Sequence, residues 1–302
     1  MYDIVVVGGG PAGMTAALYA QRNGKSALVI EKSSFGGQIT HSPKVENIPG
    51  EHSISGNEFA DKLFSQILEQ GAEIEIETVC GIKDNGRTKT VLTEEGGSYE
   101  CRAVVIATGV KHRMLGLEGE AELVGEGISF CAVCDGDFYK GKTVCVAGGG
   151  NSALQEAILL SDKCEKVIML QDLTYFTGEE TLQKTLFARD NVEAFTGVKI
   201  VRLVTENGEL TGVEIEKDGR NETISCDGLF VAIGLIPENE PFEELAKLNS
   251  FGYFDTDESC VTKTDGVFVA GDCRSKAIRQ VTTAAADGTI AALAACRYIN
   301  SL

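Results

Sequence analysis

The segment Ile4-Val5-Val6-Val7-Gly8-Gly9-Gly10-Pro11-Ala12-Gly13 decides the fold of this chain. Four apolar residues, typical of a buried strand, lead into Gly8, Gly10 and Gly13, which have the G-x-G-x-x-G spacing. Gly8 permits a tight turn, Gly10 lets the backbone approach a pyrophosphate, and Gly13 lets helix and strand pack closely. The segment therefore predicts the first turn of a dinucleotide-binding fold.

The residues that follow supply the rest of such a fold. A helical pattern runs from Ala12 to Arg22, and a second apolar strand, Ala27 to Ile30, ends at Glu31. The start of a helix offers unpaired N–H groups and a positive dipole end to phosphates. Glu31 lies where an acidic residue would bind a ribose hydroxyl. A glycine triplet alone is weak evidence, but these four features together predict a nucleotide-binding fold.

The same construction occurs again in mid-chain. A strand from Thr143 to Ala147 leads into GGGNSA at 148–153, which places Gly148, Gly150 and Ala153 at the three turn positions. A helix then extends to about Ser161, and a strand follows from Lys166 to Leu170. We therefore predict an α/β chain with two Rossmann-like nucleotide-binding folds.

Two later strands are predicted to belong to the first fold. The strand Arg102 to Ile106 ends in Ala107-Thr108-Gly109, and the strand Gly266 to Ala270 ends in Gly271-Asp272. Ligands of open α/β sheets bind at such carboxyl ends. If the last part of the chain completes the first sheet, the second fold is an insertion. We predict one domain from 1–112 and 243–302 and an inserted domain over 113–242, with hinges near 114–119 and 236–239.

Length and composition exclude several classes of protein. The 302 residues suffice for about two domains, and 43% of them are hydrophobic. A formal charge of −18 argues against a nucleic-acid-binding protein. The sequence has no apolar run long enough to span a membrane, and it enters the first strand without a basic, apolar leader. We expect a cytoplasmic protein without a signal peptide.

Of ten cysteines, only Cys131 and Cys134 are closely spaced. The others are scattered and are expected to be buried thiols in a reducing compartment: Cys80, Cys101, Cys145, Cys164, Cys226, Cys260, Cys273 and Cys296. A zinc site would need a second ligand pair, and the three histidines, His41, His52 and His112, are isolated. We predict no metal site. A structural disulfide remains an alternative, and redox catalysis is favoured.

The chain resembles the low-molecular-weight, bacterial-type thioredoxin reductases over essentially its full length. The resemblance depends on nine motifs in order: GGGPAG at 8–13, GGQ at 36–38, VENIPG at 45–50, ATG at 107–109, CAVCDG at 131–136, GGGNSA at 148–153, AIGLIP at 232–237, GD at 271–272 and RQV at 279–281. It implies FAD on the outer domain, a homodimer and thioredoxin as the substrate. It also implies a large rotation of the inserted domain.

The resemblance implies roles for three residues of the CAVCDG motif. Cys134 would lie nearest the flavin and receive its electrons, and Cys131 would attack the partner's disulfide. Asp135 would act as general acid and base for the thiol pair. Exchange through a thiolate and a mixed disulfide is the ordinary chemistry of such a pair.

The resemblance also implies a set of cofactor-binding residues. Gly37 and Gln38 would contact the flavin region, Asn47 would lie near the isoalloxazine, and the backbone of Gln280 and Val281 would meet its pyrimidine end. Asn47 has an alternative interpretation as a turn residue. The whole set is Gly8, Gly10, Gly13, Glu31, Gly37, Gln38, Asn47, Ala107, Thr108, Gly109, Gly271, Asp272, Arg279, Gln280 and Val281.

The chain departs from the family after the second strand of the inserted fold. Members that use NADPH carry His-Arg-Arg there and a later arginine, which pair with the 2′-phosphate. Here Gln171, Asp172 and Leu173 replace the run, and Thr177 replaces the arginine. We favour the ferredoxin-linked branch of the family, in which reduced ferredoxin is the donor. NADH bound through Asp172, NADPH bound through other residues, and a second flavin remain alternatives.

Two clusters of cations could steer an acidic redox partner, or could be ordinary surface charges or contacts to the FAD phosphates. They are Lys111, His112 and Arg113, and Arg274, Lys276 and Arg279. Two functions of other classes also stay open: a non-catalytic flavin redox sensor, and a dithiol oxidase that passes electrons to oxygen.

Overall fold

The computed structural model describes residues 1–42 and 44–302. The strands are β1 (Tyr2–Val7), β2 (Ala27–Glu31), β3 (Glu73–Ile76), β4 (Val79–Asp84), β5 (Lys89–Thr93), β6 (Ser98–Ile106), β7 (Lys111–His112), β8 (Ile128–Ser129), β9 (Thr143–Ala147), β10 (Lys166–Gln171), β11 (Val192–Thr196), β12 (Lys199–Glu206), β13 (Glu209–Lys217), β14 (Arg220–Ser225), β15 (Gly228–Val231), β16 (Leu235–Ile236) and β17 (Val267–Val269). The α-helices are α1 (Pro11–Arg22), α2 (Gly56–Glu69), α3 (Ala132–Asp135), α4 (Asn151–Ser161), α5 (Glu180–Phe187) and α6 (Val281–Asn300).

The chain divides into two compact units. The first comprises 1–40, 48–111 and 236–302, and the second comprises 41–47 and 112–235. The chain passes from one unit to the other within β7 and again within β16. The second unit ends at Leu235, earlier than the sequence boundary at 242, because Asn239 is fully buried among residues of the first unit.

The first unit contains a seven-stranded sheet in the order β3-β2-β1-β6-β5-β4, with β17 also paired to β6. Strands β1, β2, β3, β6 and β17 are parallel, and β4 and β5 are antiparallel. Alternate residues of β1 enter different cores: Ile4 and Val6 pack with α1 and α6, whereas Val5 and Val7 pack with Phe242 and Phe254. This is the period-two pattern of a strand buried on both faces.

The second unit contains a five-stranded parallel sheet, β11-β10-β9-β15-β8, and a three-stranded antiparallel sheet, β12-β13-β14. In both units the first glycine of the turn is required by geometry. Gly8 has φ +106, and a Cβ there would lie 2.4 Å from Ala107 O; Gly148 has φ +125, and its Cβ would lie 2.4 Å from Ala232 O. The predicted α/β class with two Rossmann-like folds is confirmed.

The parallel strand β3 and the antiparallel strands β4, β5 and β12–β14 were not predicted. Much of β3 and β14 is exposed and charged, so these strands lack the apolar runs that indicated the parallel sheets. Two predicted strands also differ at their ends, because β6 begins at Ser98 and β17 covers only Val267–Val269.

Candidate active site

Cys131 and Cys134 lie at the start of α3, directly after β8, and their sulfurs form a disulfide with a Cα–Cα distance of 5.3 Å. Cys131 is the N-cap residue, and its sulfur accepts a hydrogen bond of 3.2 Å from the backbone N–H of Cys134. Both cysteines are partly exposed. A helix N-terminus stabilises a thiolate, so this position suits thiol–disulfide exchange.

Asp135 ends the same short helix and is 9% exposed. Its Oδ2 accepts a hydrogen bond of 2.6 Å from the hydroxyl of Ser129, and Ser129 Oγ accepts one of 3.1 Å from the backbone N–H of Cys131. Burial raises the pKa of Asp135, and the Ser129 hydrogen bond partly opposes that shift. A carboxyl in such surroundings can both take up and release a proton. Ser129 was not singled out from the sequence.

The carboxyl ends of β1, β6 and β17 lie at one edge of the first sheet, because β6 runs parallel to both neighbours. This edge brings together three groups of predicted cofactor-binding residues: Gly8, Gly10 and Gly13; Ala107, Thr108 and Gly109; and Gly271 and Asp272. The hydroxyl of Thr108 donates to Asn239 Oδ1 at 2.9 Å. Asp272 Oδ1 is buried without a hydrogen-bond partner among the described residues, and burial raises the pKa of this carboxyl.

Glu31 holds the glycine turn. Its Oε2 accepts a hydrogen bond of 2.7 Å from the N–H of Gly9, and its Oε1 accepts one of 3.1 Å from the N–H of Ser33. A carboxylate has about four acceptor positions, so capacity for a ribose hydroxyl remains. Gly37 lies against the same turn, since a Cβ on Gly37 would be 3.2 Å from Gly10 Cα, and Gln38 beside it is exposed.

The remaining predicted residues occupy two places. Arg279 donates to the carbonyls of Asp272 and Arg274, at 3.3 and 3.4 Å, and stacks over the ring of Tyr253. Gln280 is the N-cap residue of α6 and forms a capping box with Thr283, and Val281 begins the helix. Asn47 is exposed in the segment 41–47, which groups with the second unit.

The family model for pyridine nucleotide-disulphide oxidoreductases matches residues 2–288. The chain belongs to this family. It is 38% identical over 304 residues to a thioredoxin reductase of Bacillus subtilis, covering all of this chain and 96% of that protein. It is 41% identical over 300 residues to a 34.2 kDa protein in a rubredoxin operon of Clostridium pasteurianum, covering 99% and 97%. The structure of thioredoxin reductase from Streptococcus pyogenes matches with a TM-score of 0.94 at 38% identity, covering 100% and 99% of the two chains.

Among pyridine nucleotide-disulphide oxidoreductases the chain is of the low-molecular-weight, bacterial thioredoxin reductase type, whose members are flavoproteins, and its cofactor is FAD. The first glycine turn fits this cofactor. No side chain caps the N-terminus of α1, and the nearest described atom to a Cβ on Gly10 would be 4.0 Å away. Free N–H groups and open space at this turn, with the unpartnered oxygen of Asp272 at the same sheet edge, are suited to phosphate and hydroxyl groups of a dinucleotide.

The Gly10→Val variant should fold but bind FAD at least about tenfold more weakly, because the new methyl groups occupy the approach to the turn. Gly81→Val, in β4, is the matched control, since a Cβ there meets nothing within 4 Å. FAD content after purification, and rebinding to the apoprotein by flavin fluorescence, measure the effect. Full FAD occupancy in Gly10→Val would contradict the assignment.

The second glycine turn of this family member is covered by its own chain. The N–H groups of Thr177 and Gly178 both donate to Gly149 O at 2.9 Å. Asn151, the first residue of α4, exchanges hydrogen bonds with Glu179 at 2.8 and 3.0 Å. A carboxylate therefore lies beside the helix N-terminus that would otherwise face a pyrophosphate.

The three residues that replace the family's basic run offer no cation. Gln171 is buried, and its Nε2 donates to Tyr175 O at 3.2 Å. Asp172 Oδ1 accepts from the N–H of Leu173 at 2.8 Å. The side chain of Leu173 is exposed and apolar.

Most members of the two cation clusters make contacts within the chain. Arg274 is 1% exposed and forms an ion pair with Asp287 at 2.8 Å, and Lys276 pairs with the same carboxylate at 2.9 Å. His112 stacks on Phe130 with ring centroids 4.4 Å apart, and burial lowers its pKa to about 4, which leaves it neutral at pH 7. Lys111 pairs with Glu238 at 2.7 Å.

Three further findings concern the remaining expectations. Seven of the eight scattered cysteines are buried as expected, but Cys80 is exposed, because its strand, β4, is at the sheet edge. Residues 1–42 and 44–302 contain no group of three or more side chains placed to bind a metal ion. No helix in these same residues has the length and apolar character required to cross a membrane.

Proposed function

We propose that this chain is an FAD-dependent thioredoxin-disulfide reductase whose electron donor is reduced ferredoxin rather than NADPH. The observation that carries the proposal is the Cys131–Cys134 disulfide at the start of α3, with the buried carboxyl of Asp135 on the same helix. The 38% identity to the B. subtilis thioredoxin reductase over the full chain supports thioredoxin as the substrate.

In this proposal the first unit, which corresponds to the predicted outer domain, binds FAD. The second unit, which corresponds to the predicted inserted NAD(P)-type domain, carries the redox pair. The turn Gly8–Gly13 with Glu31, the segments Ala107–Gly109 and Gly271–Asp272, and Arg279–Val281 hold the cofactor. Gly37, Gln38 and Asn47 lie toward its flavin end. When bound, FAD supplies two-electron redox chemistry. The protein is a cytoplasmic homodimer, as the family resemblance implies.

The chain's own residues perform the exchange with thioredoxin. The Cys131 thiolate attacks the partner's disulfide, and Cys134 then resolves the mixed disulfide by attacking Cys131. Ser129 holds the backbone of Cys131 and the carboxyl of Asp135 in one hydrogen-bonded chain. Asp135 moves protons between the thiols and the departing sulfurs, because burial keeps its pKa above the ordinary value of a carboxyl.

The donor proposal depends on the second glycine turn. NADPH binding needs cations for the 2′-phosphate, and Gln171, Asp172 and Leu173 supply none. Glu179 adds a negative charge beside the N-terminus of α4. The C. pasteurianum relative, named for a rubredoxin operon, adds support for an iron-containing donor. A second candidate is NADH, because Asp172 Oδ2 could accept from ribose hydroxyls.

Purified enzyme kept reduced by excess chemical reductant should convert oxidised thioredoxin to its dithiol repeatedly under anaerobic conditions, measured as free thiols per enzyme above a control without enzyme. A redox sensor would release at most one equivalent of thiols. A dithiol oxidase would instead consume a small dithiol and produce peroxide when oxygen is admitted. Failure to exceed one equivalent with thioredoxin in excess would contradict the proposed function.

A further inference from the structure

A second buried carboxyl lies near the redox pair. Glu156 is on α4, and its Oε2 is buried without a hydrogen-bond partner among the described residues, as is Asp135 Oδ1. Unpartnered buried oxygens of this kind are rare in native structures and call for an explanation. Neither the cofactor site nor the exchange described above uses Glu156.

The fold points Glu156 and Asp135 toward the same space. Helix α3 packs against α4. A Cβ on Gly136, the residue after Asp135, would lie 3.4 Å from Leu160 of α4. Glu156 is one turn before Leu160, so both lie on the same helix face, and helical side chains lean toward the N-terminus.

The other charged groups near the two carboxyls are already engaged in ion pairs. Asp137 pairs with Lys163, Glu180 with Lys184, and Lys166 with Glu193, so the other charged groups on elements packed against α4 have partners. Burial raises the pKa of Tyr139 to about 12, which keeps that phenol neutral. Two unpaired carboxylates that are buried close together cannot both be ionised without a large cost.

We propose that Asp135 and Glu156 share one proton, and that Glu156 acts through Asp135 to supply it to the first sulfur that leaves during exchange at the redox pair. This inference rests on the proposed disulfide reductase function. Burial, and then the charge of Asp135, raise the pKa of Glu156 to about 8, so the pair retains its proton at neutral pH.

Every proton and electron in the exchange then has a source and a destination. Cys131, whose proton has gone to solvent, attacks the protein disulfide; the partner's S–S bond breaks, and its first sulfur leaves and takes the shared proton through Asp135. Cys134 gives its thiol proton to the emptied carboxyl pair and attacks Cys131 in the mixed disulfide. The second partner sulfur leaves as a thiolate and is protonated by solvent. Two electrons pass from the cysteine sulfurs to the partner's sulfurs, which become thiols.

The test uses single-turnover reduction of thioredoxin by chemically reduced holoenzyme, comparing wild type with Glu156→Gln. At pH 7 the variant should be about tenfold slower, below the usual range for direct acid–base catalysis because Glu156 acts through another residue. The ratio of the two rates should approach one above about pH 9, where wild-type Glu156 has also lost its proton. Taking the ratio removes the titration of the thiols, which both enzymes share. The matched control is Glu165→Gln, an exposed position in the same unit, which should behave as wild type.

Infrared spectroscopy gives a readout that does not require activity. Wild-type enzyme should show the C=O band of a protonated buried carboxyl at pH 7 that is lost on titration through about pH 8, and Glu156→Gln should lack it. The wild-type titration stands even if the variant does not fold. Absence of this band in wild type, or a rate ratio of one at every pH, would overturn the proposal. Wild-type enzyme that does not reduce thioredoxin but shows the band would refute only the proposed function.

Discussion

Replacing Cys131 or Cys134 by serine should lower the steady-state rate of thioredoxin reduction by at least about a thousandfold, because nucleophilic attack and resolution each need a thiolate. A serine hydroxyl is a far weaker nucleophile at neutral pH. Both cysteines are partly exposed at the start of α3, so the substitution should leave the fold and the FAD content unchanged. Anaerobic turnover with excess chemical reductant measures the effect.

The two variants should differ in what they trap. Cys134→Ser retains the attacking sulfur and should accumulate a covalent mixed disulfide between Cys131 and thioredoxin, visible by non-reducing electrophoresis and mass spectrometry. Cys131→Ser should form much less of this adduct. Cys80→Ser is the control, since Cys80 is the exposed free cysteine and lies in the other unit. Trapping by Cys131→Ser instead would reverse the assigned roles, and wild-type turnover by either variant would refute the mechanism.

The fold was predictable where the sequence contains a complete local signal. Each glycine turn lies between an apolar strand and a helix, and Gly8 and Gly148 are both required by a positive φ and by an alanine carbonyl 2.4 Å from the missing Cβ. The partners of Gly8 and Gly148, Ala107 and Ala232, are distant in sequence. Neither contact follows from the local sequence, which indicated only that the strand ending at Ala107 belongs to the first fold.

The parts of the site that were missed depend on contacts between distant residues. The sequence left open whether Arg274 steers a partner, contacts the FAD phosphates or is an ordinary surface charge. In the structure it is buried and forms an ion pair with Asp287, thirteen positions later on α6. Glu156 carries a weaker signal: it lies among Leu154, Ala157 and Leu160, which are buried on α4. An acidic residue within such a stripe indicates burial, but not the identity of its partner.

NADPH should reduce the flavin of this enzyme very slowly, whereas reduced ferredoxin should reduce it rapidly. A charge-assisted contact contributes about 1.5–3 kcal/mol, so the loss of two would weaken NADPH binding by about 10²–10⁴-fold. Stopped-flow absorbance of the oxidised holoenzyme, mixed anaerobically with ferredoxin, rubredoxin, NADH or NADPH in turn, measures the rates. Fast reduction by micromolar NADPH would contradict the donor proposal and show that the chain is an NADPH-dependent member of its family.

The triple variant Gln171→His, Asp172→Arg, Leu173→Arg separates two reasons for slow reduction by NADPH. If only the 2′-phosphate contacts are missing, restoring the basic run should increase the rate at low NADPH concentration by at least about a hundredfold. If Thr177, Gly178 and Glu179 keep the second turn closed through their hydrogen bonds to Gly149 and Asn151, the triple variant should remain slow.

Adding Glu179→Gln to the triple variant should then raise the rate, because the carboxylate no longer competes with the pyrophosphate at the start of α4. Ferredoxin-driven reduction should be unchanged in both variants, since the proposed ferredoxin route does not use this turn. A parallel loss of the ferredoxin rate would show instead that the inserted unit takes part in docking the donor.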